Sequence, residues 1–293
     1  MRRIPFRTVD VFTSRALEGN PLAVLPDASG LTDVEMQAIA REFNLSETTF
    51  VLRRDPAIER ERGVRTRIFT PSEELPFAGH PTLGTAVVLR GDRRSEEEIS
   101  LELGVGRITV RFSDRDGRAF GEMTQKDPTF GQVHRPEVVA QALGIPATEI
   151  DTQWPIQTVS TGNPFAIVPF RSLETLRHWE GNWKVMGSYL RGTDAKFFYL
   201  VSRDTVDSRA RLHARMLFNG GEDPATGSAA GPAVSWMVRG RMVEPGTSIM
   251  IEQGLEARRP SQIYASASLV DDKVRDVRVG GFCSAIMHGE IAL

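Results

Sequence analysis

The chain has 293 residues, 40% hydrophobic and 25% charged, with 36 Lys and Arg against 38 Asp and Glu for a net charge of −2. That length and composition can build a substantial core in two domains or one large one, and they exclude wholesale disorder. There is no basic excess to release counterions from nucleic acid, and no apolar run reaches the ~18 residues of a membrane span, so neither a nucleic acid nor a membrane is an expected partner. Met1-Arg2-Arg3-Ile4-Pro5-Phe6 is not followed by an apolar stretch, so no secretory signal is expected. The lone cysteine, Cys283, fits a reducing cytoplasm and excludes an internal disulfide, paired-thiol chemistry and Cys-rich metal sites.

Taken in chain order, residues 7–12 read as a strand, followed by the Gly19-Asn20-Pro21 turn and a second strand. Thr32-Asp33-Val34-Glu35 is a capping-box pattern opening a helix with Ile39, Ala40 and Phe43 on one face, and Asn44 suits its left-handed end. Strands are expected at residues 48–52 and 66–69, then a helix over 81–90 closed by Gly91. Strands return at 99–103 and 107–112, and the link between halves falls within 125–153, punctuated by Pro128, Pro136 and Pro146. A second such helix is expected over 228–239 closed by Gly240, with strands at 157–160, 248–252 and 261–267. Both long helices are rich in Ala, Val and Leu with almost no charge, the pattern of a helix buried all round.

The chain repeats itself once. Gly19-Asn20-Pro21 recurs as Gly162-Asn163-Pro164 at offset 143, and Arg67-Ile68-Phe69 is echoed by Arg215-Met216-Leu217 at offset 148. Ala78-Gly79-His80 is echoed by Thr226-Gly227-Ser228 at offset 148, Arg90-Gly91 by Arg239-Gly240 at 149, and Leu101-Glu102-Leu103-Gly104 by Ile251-Glu252-Gln253-Gly254 at 150. Matches in one order at nearly constant offset point to duplication. Each half is then a curved sheet wrapped around one central helix, with an N-terminal domain at 1–125 that can include the C-terminal strand 286–293, and a C-terminal domain at 126–285.

A buried helix still exposes first-turn N–H groups and the positive end of its dipole, which favour an anion. Gly79-His80-Pro81 precedes one central helix and Gly227-Ser228 the other, and Pro81 at the first helical position makes His80 the expected cap. Two pseudo-symmetric halves would set these two starts across one cleft, a geometry that suits a small carboxylate. Asp223, close before Gly227, either caps the helix or accepts from a substrate amine or hydroxyl. Glu47 shares strand parity with Leu45, Thr49 and Val51. It either points to the apolar side, where desolvation raises a carboxyl pKa and suits a proton shuttle, or sits in water as most glutamates do.

Three long motifs then carry a resemblance. They are Leu45-Ser46-Glu47-Thr48-Thr49-Phe50; Phe69-Thr70-Pro71 with Glu74-Leu75-Pro76-Phe77-Ala78-Gly79-His80-Pro81-Thr82-Leu83-Gly84; and Asp223-Pro224-Ala225-Thr226-Gly227-Ser228-Ala229-Ala230-Gly231-Pro232. With Gly19-Asn20-Pro21 and the Gln253-Gly254 to Arg259-Pro260-Ser261 stretch, they closely resemble the PhzF-like family across nearly the whole chain. The resemblance implies an α+β, diaminopimelate-epimerase-like fold of two pseudo-symmetric domains. It implies a cofactor-independent isomerase, without metal, that moves a proton within a small cyclic carboxylate, as in isomerisation of a dihydro-hydroxyanthranilate. The family's catalytic glutamate falls on Glu47, its histidine on His80, its aspartate on Asp223 and its serine on Ser228. Backbone amides near Gly79 and Gly227 would take the carboxylate, with Ser46 at the pocket wall, and a homodimer is expected on the same grounds.

The fold's two-thiol members carry cysteines at the helix starts, where this chain has Ala78 and Thr226. Racemisation by paired thiols is therefore not open to it. The segment from Arg215 to Glu222 is short and glycine-rich where the family usually carries a longer one, so the alternatives are a different substrate or a non-catalytic carboxylate-binding role. The remaining features are structural expectations. His134, His178 and His288 read as surface or packing residues, and no histidine pair has metal-motif spacing. Gly104-Val105-Gly106 reads as a turn, residues 53–67 and 92–98 as solvated mixed-charge loops, and Cys283 as an inert packed thiol.

Overall fold

The strand Arg3–Val11 is returned antiparallel onto Asn20–Leu25, with Val11 opposite Asn20 and Arg7 opposite Val24. The helix Asp33–Phe43 then crosses over and sets Glu47–Leu52 parallel to Asn20–Leu25. Its start is the capping box read in the sequence: the Thr32 hydroxyl accepts from the Glu35 N–H, and the Glu35 carboxylate accepts from the Thr32 N–H. Asn44 closes it in the left-handed region at φ 50°. Met36, Ile39 and Ala40 of this helix pack with Leu25, Leu31, Phe50 and Phe69 into one apolar cluster.

The computed structural model describes residues 1–91, 95–115, 117–218 and 220–293. The chain divides into a first unit, Met1–Thr124 with Gly280–Leu293, and a second, Gln125–Val279. In the first unit the sheet continues from Glu47–Leu52 antiparallel to Val64–Phe69, which runs parallel to Glu98–Leu103; that strand is antiparallel to Gly106–Arg115. The C-terminal strand Cys283–Ala292 closes on the other side of Arg3–Val11.

The second unit repeats the scheme. Gln157–Ser160 is antiparallel to Pro164–Phe170, which is parallel to Phe197–Ser202; that strand is antiparallel to Ala210–Arg215. Ala210–Arg215 is then parallel to Ile249–Gln253, itself antiparallel to Ser261–Val270. The alternation of antiparallel and parallel pairs is therefore the same in both units. Each sheet curves around one helix, Gly79–Arg90 in the first unit and Gly227–Arg239 in the second. In Gly79–Arg90 every residue but Val87 and Arg90 is buried, which is why an unbroken run without charge was needed there.

Several expectations change. Residues 53–67 are not a loop throughout: Asp55 caps a solvated helix, Pro56–Arg62, by accepting from the Ala57 N–H, and Pro56 takes the first turn, where no donor is required. Within 125–153, where the link was expected to lie, Thr129–Val133 pairs with Gln157–Ser160 and Pro136 opens the helix Pro136–Leu143. Asp92, Arg93 and Arg94 of the expected loop at 92–98 lie outside the described residues. Among the described residues no helix is long and apolar enough to cross a membrane.

Candidate active site

Glu47 opens its strand opposite Leu22, and only 5% of it is exposed. Of the two sequence readings, the apolar side is the one realised. His80 is equally buried, at the second position of the helix Gly79–Arg90, and its Nε2 lies 3.4 Å from Glu47 Oε2. A hydroxyl link two residues further along the strand ties the same strand to the same helix. Thr85 Oγ1 of the central helix donates to Thr49 Oγ1 at 2.8 Å, and Thr49 Oγ1 donates to the Ala23 carbonyl. Burial pushes the His80 imidazole down to about 3, so near neutral pH it is uncharged and meets Glu47 as a dipole rather than an ion.

The expectation that His80 caps its helix is corrected. Ala78, extended at φ −148° and ψ 145°, is the N-cap, and Pro81 stands at the third position. Pro81 is tolerated there because the first four N–H groups have no partner within the helix. Alanine offers no acceptor, so no side chain caps this start.

The second unit reaches the same state by another route. Its helix starts at Gly227 with Thr226 as N-cap, yet Thr226 makes no side-chain cap bond. The Thr226 hydroxyl instead donates to Asp223 Oδ2 at 2.6 Å. Asp223 is therefore not the helix cap; it holds the residue that would have been. Gln253 fixes this corner: its Nε2 donates to the Asp223 carbonyl and to Thr226 Oγ1, both at 2.8 Å, and its Oε1 accepts from the Thr226 N–H and the Tyr199 hydroxyl. Gln125 Nε2 donates to the Gly227 carbonyl at 2.9 Å. A Cβ on Gly231 would lie 2.0 Å from Gln125 Oε1, so a larger residue there would displace the Gln125 side chain. Gly79 and Gly227 are buried at the two helix starts, and Ser228 and Ser46 are half-buried.

The structure thus brings Glu47 and His80 into contact in one unit, and Asp223 and Thr226 in the other. Thr49, Thr85, Gln253 and Tyr199 were not assigned from sequence. Their signal is parity for Thr49, two residues from Glu47, whereas the others act over dozens of residues and leave no local pattern. His134 is a packing residue as expected, though fully inside. Thr158 donates its one hydroxyl proton to Asp194, so His134 Nε2 must donate to Thr158, and His134 Nδ1 accepts from Tyr189. Cys283 is half-buried, and desolvation of its thiol pushes its pKa up to about 12. Among the described residues no cluster of three His, Cys, Asp or Glu side chains could hold a metal ion.

A family model described as phenazine biosynthesis-like protein matches residues 9–289. An uncharacterised isomerase of Mesorhizobium japonicum is 37% identical, with 96% of each chain aligned. A trans-2,3-dihydro-3-hydroxyanthranilate isomerase of Pseudomonas aeruginosa is 35% identical over 97% of this chain and 98% of its own. The crystal structure of a Bacillus anthracis phenazine biosynthesis protein of the PhzF family superposes with a TM-score of 0.89 at 27% identity, covering all of both chains. A hydroxyproline epimerase from Agrobacterium vitis, at 14% identity and a TM-score of 0.65 over 100% of this chain and 92% of its own, shares the fold alone, which is diaminopimelate-epimerase-like. With sequence model, relatives and architecture in agreement, the chain belongs to the phenazine biosynthesis-like (PhzF) family.

Proposed function

We propose that the protein is a cofactor-independent isomerase that moves a proton within a small cyclic carboxylate, similar to a trans-2,3-dihydro-3-hydroxyanthranilate. Glu47 is the acid/base. It takes a proton from a ring carbon as its own O–H, which can exchange with solvent, the bonding electrons shift along the diene, and the carboxyl delivers a proton to another ring carbon to give an enol that becomes a ketone. His80, uncharged, directs an N–H or lone pair at the Glu47 carboxyl without competing for a full charge. Asp223 and Ser228 hold polar groups of the substrate, and Ser46, beside Glu47, is a pocket-wall residue. The first-turn amides at Gly79 and Gly227 take its carboxylate.

The observation that carries this reading is the buried pair itself: a carboxyl 5% exposed, 3.4 Å from an imidazole that burial keeps neutral. A proton carrier needs such dryness to hold a pKa near the working pH, and a surface glutamate would not have it. Support also comes from the names of the relatives, which are isomerases. By family resemblance we further propose a homodimer; sedimentation showing only the 32.5 kDa species at micromolar concentration removes that part.

The test is a panel of dihydro-hydroxyanthranilates and other small cyclic carboxylates, given to protein dialysed against chelator. Conversion is followed by NMR and binding by calorimetry. Conversion that survives dialysis is the expected result. Tight binding with no conversion anywhere in the panel sinks the isomerase and leaves a carboxylate-binding protein.

A further inference from the structure

Two arginine–glutamate forks lie outside the site, and they match atom for atom. Arg67 Nε donates to Glu74 Oε1 at 2.7 Å and Nη2 to Glu74 Oε2 at 2.6 Å. Arg215 Nε donates to Glu222 Oε1 at 2.9 Å and Nη2 to Glu222 Oε2 at 2.7 Å. Each pair is seven residues apart. Each also has one register: Phe69 pairs with Glu74 and Leu217 with Glu222, so the arginine, two residues back, is the diagonal cross-strand neighbour of its glutamate. Both glutamates stand five residues before the central helix, Glu74 before Gly79 and Glu222 before Gly227. The short segment at 217–222, a departure from the family pattern, thus has the span of its counterpart in the first unit.

The third arm of each guanidinium anchors the fork to a flanking helix. Arg67 Nη1 donates to Asp33, in the first turn of Asp33–Phe43. Arg215 Nη1 donates to the carbonyls of Leu176 and Trp179, at 2.7 and 2.8 Å, at the end of Leu173–His178. A planar fork with both N–H···O bonds made fixes orientation as well as distance, which a lysine could not do. Neither fork touches the proposed catalytic side chains, yet each fixes the segment that delivers them.

We propose that Arg67–Glu74 and Arg215–Glu222 are duplicated positioning clamps, the first placing His80 against Glu47 and the second placing Asp223 and Thr226. The functional importance of these placements rests on the isomerase reading above; the placements themselves do not.

The test uses the full chain with isotope-labelled histidine rings. The His80 resonance is assigned by its disappearance in His80→Gln. In Glu74→Gln and Arg67→Lys that resonance should shift and its titration midpoint climb toward the ordinary imidazole range, and turnover should fall at least about tenfold. Arg3→Gln, which breaks the exposed Arg3–Glu290 pair, should change neither. For the second clamp the readout is hydrogen exchange at the Asp223 and Thr226 amides, bonded to the Met216 carbonyl and Gln253 Oε1. Glu222→Gln should speed exchange there at least about tenfold while the helix Pro136–Leu143 keeps its protection. Where that variant does not fold, Glu222→Asp, which keeps the charge and loses the reach, should show the same local loss. A His80 titration unmoved by Glu74→Gln, or Asp223 and Thr226 protection unmoved in either Glu222 variant, overturns the corresponding clamp. A shifted His80 titration together with no conversion by wild type across the substrate panel leaves the clamps standing and removes the isomerase reading instead.

Discussion

Replacing Gly254 by alanine tests whether the corner at Asp223 is as tightly built as its hydrogen bonds imply. Gly254 sits at φ +80°, and a Cβ there would lie 2.4 Å from the Pro224 carbonyl oxygen and 2.5 Å from that of Arg259. Ordinary contact begins at 3.4 Å, so Pro224, whose neighbour is Asp223, would have to retreat by about 1 Å. The backbone cannot give way toward Arg259 instead, because that carbonyl blocks the other side. Gly246 provides the control. It has the same φ of +80°, but nothing lies within 4 Å of its added Cβ. Alanine at such a φ costs ~1–2 kcal/mol through the backbone alone, and that is the whole effect expected for Gly246→Ala. The clash adds ~1–3 kcal/mol for Gly254→Ala, the range for overpacking a filled site. All four tryptophans, Trp154, Trp179, Trp183 and Trp236, lie in the second unit, so urea unfolding followed by their fluorescence reports on that unit. A displacement of Asp223 approaching 1 Å should also lower turnover ~100-fold in Gly254→Ala and leave Gly246→Ala near wild type. Equal unfolding midpoints for the two variants would refute the reasoning, because the backbone cost is common to both.

Three further outcomes follow from buried polar groups. His80 has its folded pKa depressed to about 3 by burial, so between the ordinary imidazole range and that value the unfolded chain takes a proton that the folded chain refuses. Its contribution is lost as pH falls, at ~1.4 kcal/mol per pH unit, and denaturant unfolding of His80→Gln should show a shallower acid slope than wild type. His213 behaves oppositely. Burial opposes its charge, but hydrogen bonds to Glu252 and Glu256 outweigh that and raise its pKa. The stabilisation is complete below the unfolded imidazole pKa and is lost as pH rises through the folded value, so His213→Gln should abolish an alkaline loss of stability in the second unit. Gln253→Leu strips partners from the Thr226 N–H, the Tyr199 hydroxyl and the Asp223 carbonyl at once and should cost about 3 kcal/mol or more in urea unfolding.

What the sequence disclosed and what it hid divide along range. The Thr32 capping box, the Asn44 left-handed end and the two apolar helices are local patterns, and they form as read. The duplication was legible because it repeats in order. The helix Pro56–Arg62 was missed because none of its residues is buried and it carries no apolar face, leaving only the Asp55-Pro56 start as a signal. His80 was assigned the cap because proline favours the first helical position, whereas the extended backbone of Ala78 sets the start two residues earlier. Whether Glu47 faced water or core could not follow from strand parity alone; the flanking strands and the helix behind them decide it. The Arg67–Glu74 and Arg215–Glu222 forks were hidden for a related reason, since a spacing of seven acquires meaning only once a hairpin brings the diagonal together.

The central claim is that one buried glutamate carries the migrating proton. The most direct measurement follows a substrate from the dihydro-hydroxyanthranilate class in deuterated water, with wild type and Glu47→Gln compared by NMR at matched protein concentration. The amide fills the same space beside His80 but cannot accept and return a proton. Isomerisation and deuterium exchange at the ring carbons should both vanish in Glu47→Gln while the substrate still binds; exchange proceeding at the wild-type rate would contradict the account.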